Sequence, residues 1–104
     1  MIHRLPLPEA LQHEDAAEVT VAGLRLGIFK QGRGYRALEL KCGHQLATLW
    51  LENRQGNELH GLHHGWRYGL PGGECLTDPL ERPLRSYAVT RVEDELFVDI
   101  PAEP

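Results

Sequence analysis

The segment Leu59–Leu76, LHGLHHGWRYGLPGGECL, places His60, His63 and His64 within five positions and follows them with an aromatic stretch punctuated by glycine. Pro71-Gly72-Gly73 marks a tight turn, because glycine reaches positive φ without a Cβ clash. The segment therefore reads as a hairpin whose approach is rich in imidazole. Imidazole at that density raises the question of a metal, and Gly61 raises a second one: the histidines sit beside a position with no side chain to offer.

The flanking sequence continues the strand-and-turn pattern. Upstream, residues 45–62, QLATLWLENRQGNELHGL, set the polar run ENRQGNE between two apolar runs. Further back, EVTVAGLRLGIFKQGRGYRALEL (18–40) alternates apolar and polar residues on both sides of a turn at Gln31–Gly34. Val19, Val21, Leu24, Leu26 and Ile28 suggest one hairpin arm or two; Tyr35, Ala37, Leu38 and Leu40 suggest the next strand. Downstream, LRSYAVTRVEDELFVDI (84–100) is the clearest hairpin, turning at Glu93-Asp94. Short strands at regular spacing with glycine turns predict an all-β fold, a sandwich or small barrel. No long amphipathic helix is legible. Residues 1–18 read as an irregular lead-in, with Pro6 and Pro8 opposing a long helix, and 19–104 as a single domain.

The 104 residues suffice for one core, and the 41% apolar and 25% charged fractions are those of a globular protein. The net charge of −4 leaves no Lys/Arg cluster able to track phosphates, which argues against nucleic acid. It suits a protein partner with a basic docking patch. No apolar run approaches the roughly 20 residues of a membrane-spanning helix. The proline- and acid-bearing start does not resemble a secretory signal, so the expected location is cytoplasmic. There, Cys42 and Cys75 are expected as free or metal-bound thiols rather than a disulfide.

Cys42-Gly43-His44 sets a thiolate and an imidazole two residues apart, so that one loop can direct both inward. Sixteen residues separate His44 from Gly61, and His64 follows three after that. The order of CGH (42–44), HGWRY (64–68), GGECL (72–76), RPLRSYAV (82–89) and VEDELFVDI (92–100) resembles the Rieske ferredoxin family from about Val19 to Ile100. The resemblance is to small Rieske-type ferredoxins and to the Rieske domains of ring-hydroxylating oxygenases. It implies an antiparallel β-sandwich or small barrel with two cluster-binding loops at one tip. It also implies a [2Fe–2S] centre in which two thiolates hold one iron and two histidines the other.

Carried over position by position, Cys42, His44 and His64 match ligands. The family's second loop reads Cys-x-x-His-Gly-Trp; here it reads Gly61-Leu62-His63-His64-Gly65-Trp66, so one ligand is missing. Gly43 also stands where the first loop usually has proline, which loosens that loop. Three outcomes stay open. The cluster is retained with an altered set, His60 or His63 taking the vacant position, although neighbours on an extended chain face opposite ways. Or Cys42, His44, His64 and one more histidine hold a single Zn²⁺ or Fe²⁺. Or no metal binds and the fold serves for docking.

Each residue has a plainer reading as well. Cys42 is then a buried thiol, His44 and His64 hydrogen-bonding histidines, and His60, His63, His3 and His13 solvated ones. Cys75 reads as a packed hairpin residue, Trp66 as cover for the loop base, and Tyr68 as packed beside it. Trp50 is either core or a partner contact. The implied role is an electron-transfer component between a flavin reductase and a terminal oxygenase or similar enzyme, with no catalysis of its own.

Overall fold

In the computed structural model, which describes residues 1–42, 47–61, 67–70, 72–77 and 83–101, the alternating pattern folds as two antiparallel sheets. The first six-stranded sheet contains β1 (Ile2–Pro6), β2 (Ala16–Val21), β3 (Leu24–Gln31), β4 (Gly34–Glu39), β9 (Ser86–Val92) and β10 (Glu95–Asp99). Its spatial order is β1-β10-β9-β4-β3-β2. The second contains β5 (Lys41–Cys42), β6 (Ala47–Gln55), β7 (Glu58–Gly61) and β8 (Arg67–Gly69), in the order β5-β6-β7-β8. A single helical turn, α1 (Ala10–His13), is the one helix among the described residues. The all-β expectation is borne out.

The hairpins close where the turn residues predicted. β2 and β3 are two arms, joined through Ala22 and Gly23 at φ 52° and 80°. Two successive positive-φ residues give a turn whose twist matches that of the strands. β3 and β4 join at Gly32-Arg33, β6 and β7 at Gly56-Asn57, and β9 and β10 at Glu93-Asp94.

The lead-in expected to be irregular over 1–18 is corrected. β1 pairs with β10 from Ile2↔Asp99 to Pro6↔Glu95, and β2 begins at Ala16. Pro6 tolerates this place because an edge strand does not need every N–H in the ladder. Leu5 and its partner Leu96 lie at opposite ends of the chain, so no local cue announces the pairing.

Strand alternation sorts the apolar side chains into two cores. Leu26, Ile28, Ala37, Leu96 and Val98, all fully buried, gather with Leu11 of α1, Ala17, Val21 and Ile100. Leu5 of β1 and Val19 of β2, from opposite edges, pack against that same cluster, so the six-stranded sheet curls around it. On the other face Ala16, Phe29, Leu38 and Leu40 meet Leu59, Tyr68, Cys75 and Leu84. This second core binds the four-stranded sheet to the first, and each large side chain in it contributes roughly 1.5–3 kcal/mol on leaving water.

A polar clasp reinforces that junction at its rim. Arg54 of β6 donates from Nη1 and Nη2 to the two carboxylate oxygens of Asp15, at 2.7 and 2.9 Å, and from Nε to the Gly56 carbonyl at 2.9 Å. Its guanidinium carbon lies 5.9 Å from the centre of the Phe29 ring.

Candidate metal centre

The four-stranded sheet sets the geometry of the two loops. β5 pairs with β6 through Lys41↔Thr48 and Cys42↔Ala47, and β6 pairs with β7 through Leu49↔Gly61. Cys42 and Gly61 therefore flank the beginning of β6 on its two sides. Residues 43–46 leave from Cys42, and residues 62–66 leave from Gly61, at that same end. Because side chains alternate along a strand, the register gives positions 42, 47, 49 and 61 one parity and hence one face of the sheet. The same parity runs along β7 to Leu59, which is fully buried in the inter-sheet core.

His44, His63 and His64 lie outside the described residues. Cys42 enters as a backbone position at the end of β5. His60 is described, and it occupies the other face of β7. There its Nε2 lies 3.4 Å from Glu58 Oε1, and Arg67 Nη1 donates to the same carboxylate oxygen at 3.2 Å. His60 and Arg67 are cross-strand partners, so Glu58 holds the residues at both feet of the 62–66 segment. This small cluster was not anticipated from the sequence, although the i, i+2 spacing of Glu58 and His60 on a strand carried the signal.

β8 runs into the hairpin that the Pro-Gly-Gly turn predicted. Gly69 N donates to Glu74 O at 2.8 Å, Gly73 N to Gly69 O at 2.7 Å, and Leu76 N to Arg67 O at 2.8 Å. Gly73 has φ +83°, and a Cβ there would meet Leu38 Cδ2 at 3.0 Å and Leu84 Cβ at 3.3 Å. The turn needs glycine for both reasons. Thr77 accepts from the Arg67 amide at 2.8 Å, closing the base of the hairpin. Tyr68 is buried, as a packed residue should be, and bridges Cys75 across the ladder; Trp66 lies outside the described residues.

Cys75 is a free, buried thiol within hydrocarbon, as its structural reading required. It stands in the Leu59–Tyr68–Cys75 row, two strand spacings from β7, or close to 10 Å. Among the described residues no three of His, Cys, Asp and Glu gather as metal ligands.

The donor chemistry can be tested against a four-ligand [2Fe–2S] centre. Cys42 stands at the loop end as a backbone position, and a thiolate there would be one donor. Position 61, on the matching face across β6, supplies none. His60 faces away, engaged with Glu58, and Cys75 is committed to the core. The protein side chains described do not complete the set.

Comparison with known proteins bears on the same segment. The sequence pattern of the Rieske [2Fe-2S] domain matches residues 3–88. The ferredoxin component of the p-cumate 2,3-dioxygenase system of Pseudomonas putida is 31% identical over 84 residues, covering 80% of this chain and 71% of that protein. The oxygenase component of chloroacetanilide N-alkylformylase from Rhizorhabdus wittichii is 37% identical over 60 residues, covering 57% of this chain. The matched part is 17% of that oxygenase's length. In three dimensions, a chain of the complex of reduced oxygenase and oxidized ferredoxin in carbazole 1,9a-dioxygenase superposes with a TM-score of 0.67 at 23% identity, covering 91% of each chain. That likeness is one of fold.

Proposed function

The chain belongs to the Rieske [2Fe-2S] domain family, and from that premise we propose that it is a ferredoxin-like electron-transfer component of an oxygenase- or reductase-type system. In this reading Cys42, His44 and His64 hold an iron–sulfur centre at the end of the four-stranded sheet. The observation that supports it is the register of that sheet: Cys42 and position 61 share a face and an end, on the two sides of β6.

The protein's own part is positioning. β5, β6 and β7 carry the loop feet, the inter-sheet core fixes their plane, and Glu58 ties His60 to Arg67 across the second loop. The centre, when bound, supplies one-electron chemistry; the chain supplies the place where a redox partner meets it. The partner is a reductase on one side and a terminal oxygenase on the other. Neither nucleic acid nor membrane has a part in this reading. No helix among the described residues is long and apolar enough to cross a membrane. Cys75 is unpaired with any other cysteine, which suits a reducing, cytoplasmic setting.

A second reading has one observation in its favour. Gly61 leaves the set a donor short, which suits a docking module with no metal at all, or a single zinc or iron ion on Cys42, His44, His64 and one further histidine, His60 or His63. Iron and acid-labile sulfide measured on anaerobically purified protein separate the three. A coloured protein with matched iron and sulfide, bleached by dithionite, supports electron transfer. Colourless protein that is folded and metal-free refutes it in favour of docking, and colourless protein carrying one zinc refutes it in favour of the mononuclear site.

A further inference from the structure

β1 forms one edge of the six-stranded sheet, and the phase of its hydrogen bonds decides what that edge offers. Met1 N donates to Ile100 O at 2.9 Å, Ile100 N to Met1 O at 3.0 Å, and Leu7 N to Asp94 O at 2.8 Å. Antiparallel bonding alternates along a strand, so the odd positions of β1 commit their backbone groups to β10. The even ones, Ile2, Arg4 and Pro6, turn theirs outward, where among the described residues no strand pairs with them. The Ile2 side chain beside that edge is 65% exposed.

A row of outward backbone groups is a template for another strand, and β1 restricts what that strand can be. Pro6 has no N–H, so Ile2 and Arg4 hold the usable donors. Consider two-fold antiparallel pairing of β1 with β1 of a second copy, centred on His3. Ile2 then meets the copy's Arg4 and Arg4 the copy's Ile2, all of their N–H and C=O groups bond, and both prolines stay outside the ladder. Centring on Arg4 makes as many bonds, but it sets Arg4 directly against its own copy, a like-charge pair, and leaves each Ile2 carbonyl facing a proline.

The exposed side chains agree with the first register. On that face the row reads Asp99, Ile2, the copy's Arg4, the copy's Phe97. Arg4, held to its own Glu95 at 3.0 Å, covers the copy's Ile2 with its stem. Its charge lies two strand spacings, about 10 Å, from the copy's Asp99, within the reach of so long a side chain. The charges are thus opposite across the axis.

We propose that β1 pairs edge to edge with β1 of a second copy of this chain, in that register, to give a weak symmetric dimer. Each side contributes one five-residue strand, less than a permanent interface needs, so the association is reversible. The four-stranded sheet packs over Ala16, Phe29, Leu38 and Leu40, toward the β2 end, so the pairing leaves β5–β8 of both copies clear.

The test is amide exchange read by NMR, with sedimentation velocity, on the full chain from about 10 μM to about 1 mM, the span in which a small interface associates. The expected result is a mass that rises toward that of a dimer. Exchange of the Ile2 and Arg4 amides slows with it, roughly fivefold when four-fifths of chains are paired, whereas His3 and Leu5, bonded to β10, show no dependence. Arg4→Pro deletes an outward donor and no bond to β10, as Pro6 already does, and should weaken association about tenfold. Arg4→Glu should weaken it about fivefold, and adding Asp99→Arg should recover most of that loss. If Arg4→Pro costs His3 and Leu5 their protection, the charge variants decide. A chain monomeric throughout overturns the proposal and leaves the edge to a strand of another protein. So does a dimer whose Ile2 and Arg4 amides exchange as fast as in dilute solution, or one that a folded Arg4→Pro forms equally well. A double charge variant no tighter than Arg4→Glu overturns the register.

Discussion

Arg54→Ala should destabilise the protein by about 2 kcal/mol, most of it through the junction that holds the loop-bearing sheet against the larger one. The substitution removes three interactions at once. The first is the two-pronged pair with Asp15 at 2.7 and 2.9 Å. The Arg54 side chain is 22% exposed and that of Asp15 62%, so water screens the pair and its worth is that of a good surface bridge, roughly 0.5–1 kcal/mol. The second is the Nε–Gly56 bond, about 0.5–1 kcal/mol net. The third is the guanidinium over Phe29, about 0.5 kcal/mol at a partly exposed site, along with cover for the ring by the side-chain stem. For a chain of 104 residues the sum corresponds to a fall in Tm of about 10 °C.

Asp15→Asn isolates the charge, with an expected loss of about 0.5–1 kcal/mol at neutral pH. The hydrogen bonds from Arg54 hold the Asp15 carboxyl below its ordinary value, and nearby positive charge adds to that, against a smaller opposing effect of burial. A carboxyl whose pKa is lowered by folding stabilises the folded state above its unfolded pKa of about 3.9 and ceases to as pH falls through the folded value. The stability gap between wild type and Asp15→Asn should thus be constant from neutral pH to about pH 5, then shrink as the solution is acidified below about pH 4. Urea unfolding of wild type, Arg54→Ala, Asp15→Asn and the double variant across that range measures it. A gap that persists undiminished in acid, or an Arg54→Ala no less stable than wild type, would refute the clasp as drawn.

Other expectations follow from single positions. Leu59→Ala empties a fully buried site between the sheets and should cost about 2–4 kcal/mol by urea unfolding. Gly73→Ala should cost about 1–3 kcal/mol, since φ +83° and the Leu38 contact both oppose a Cβ; Gly32→Ala, with φ +59° but nothing within 4 Å, should cost about 1 kcal/mol. His64→Ala and Cys42→Ala should lose the iron of anaerobically reconstituted protein, whereas Cys75→Ala and His60→Ala should keep it. Iron retained in His64→Ala, or lost in Cys75→Ala, would show that the donors are other than those proposed.

Local sequence carried the strands, the turns and the donor types. Val19–Ile28, Tyr35–Leu40 and Tyr87–Ile100 alternate with a period of two, and Gly23, Gly32, Gly56 and Gly73 each stand at a positive φ. Both signals act within a few residues, so they are readable without knowing any partner strand. The spacing of Cys42, His44, Gly61 and His64 likewise lies in the chain itself. Tertiary structure alone decided the rest. The pairing of β1 with β10 joins the two ends of the chain, and nothing in IHRLP announces it. The opposite facing of His60 and the shared face of positions 42 and 61 both depend on register between strands. Register is fixed by which side chains a core accepts across the sheet, a non-local condition that local alternation leaves open.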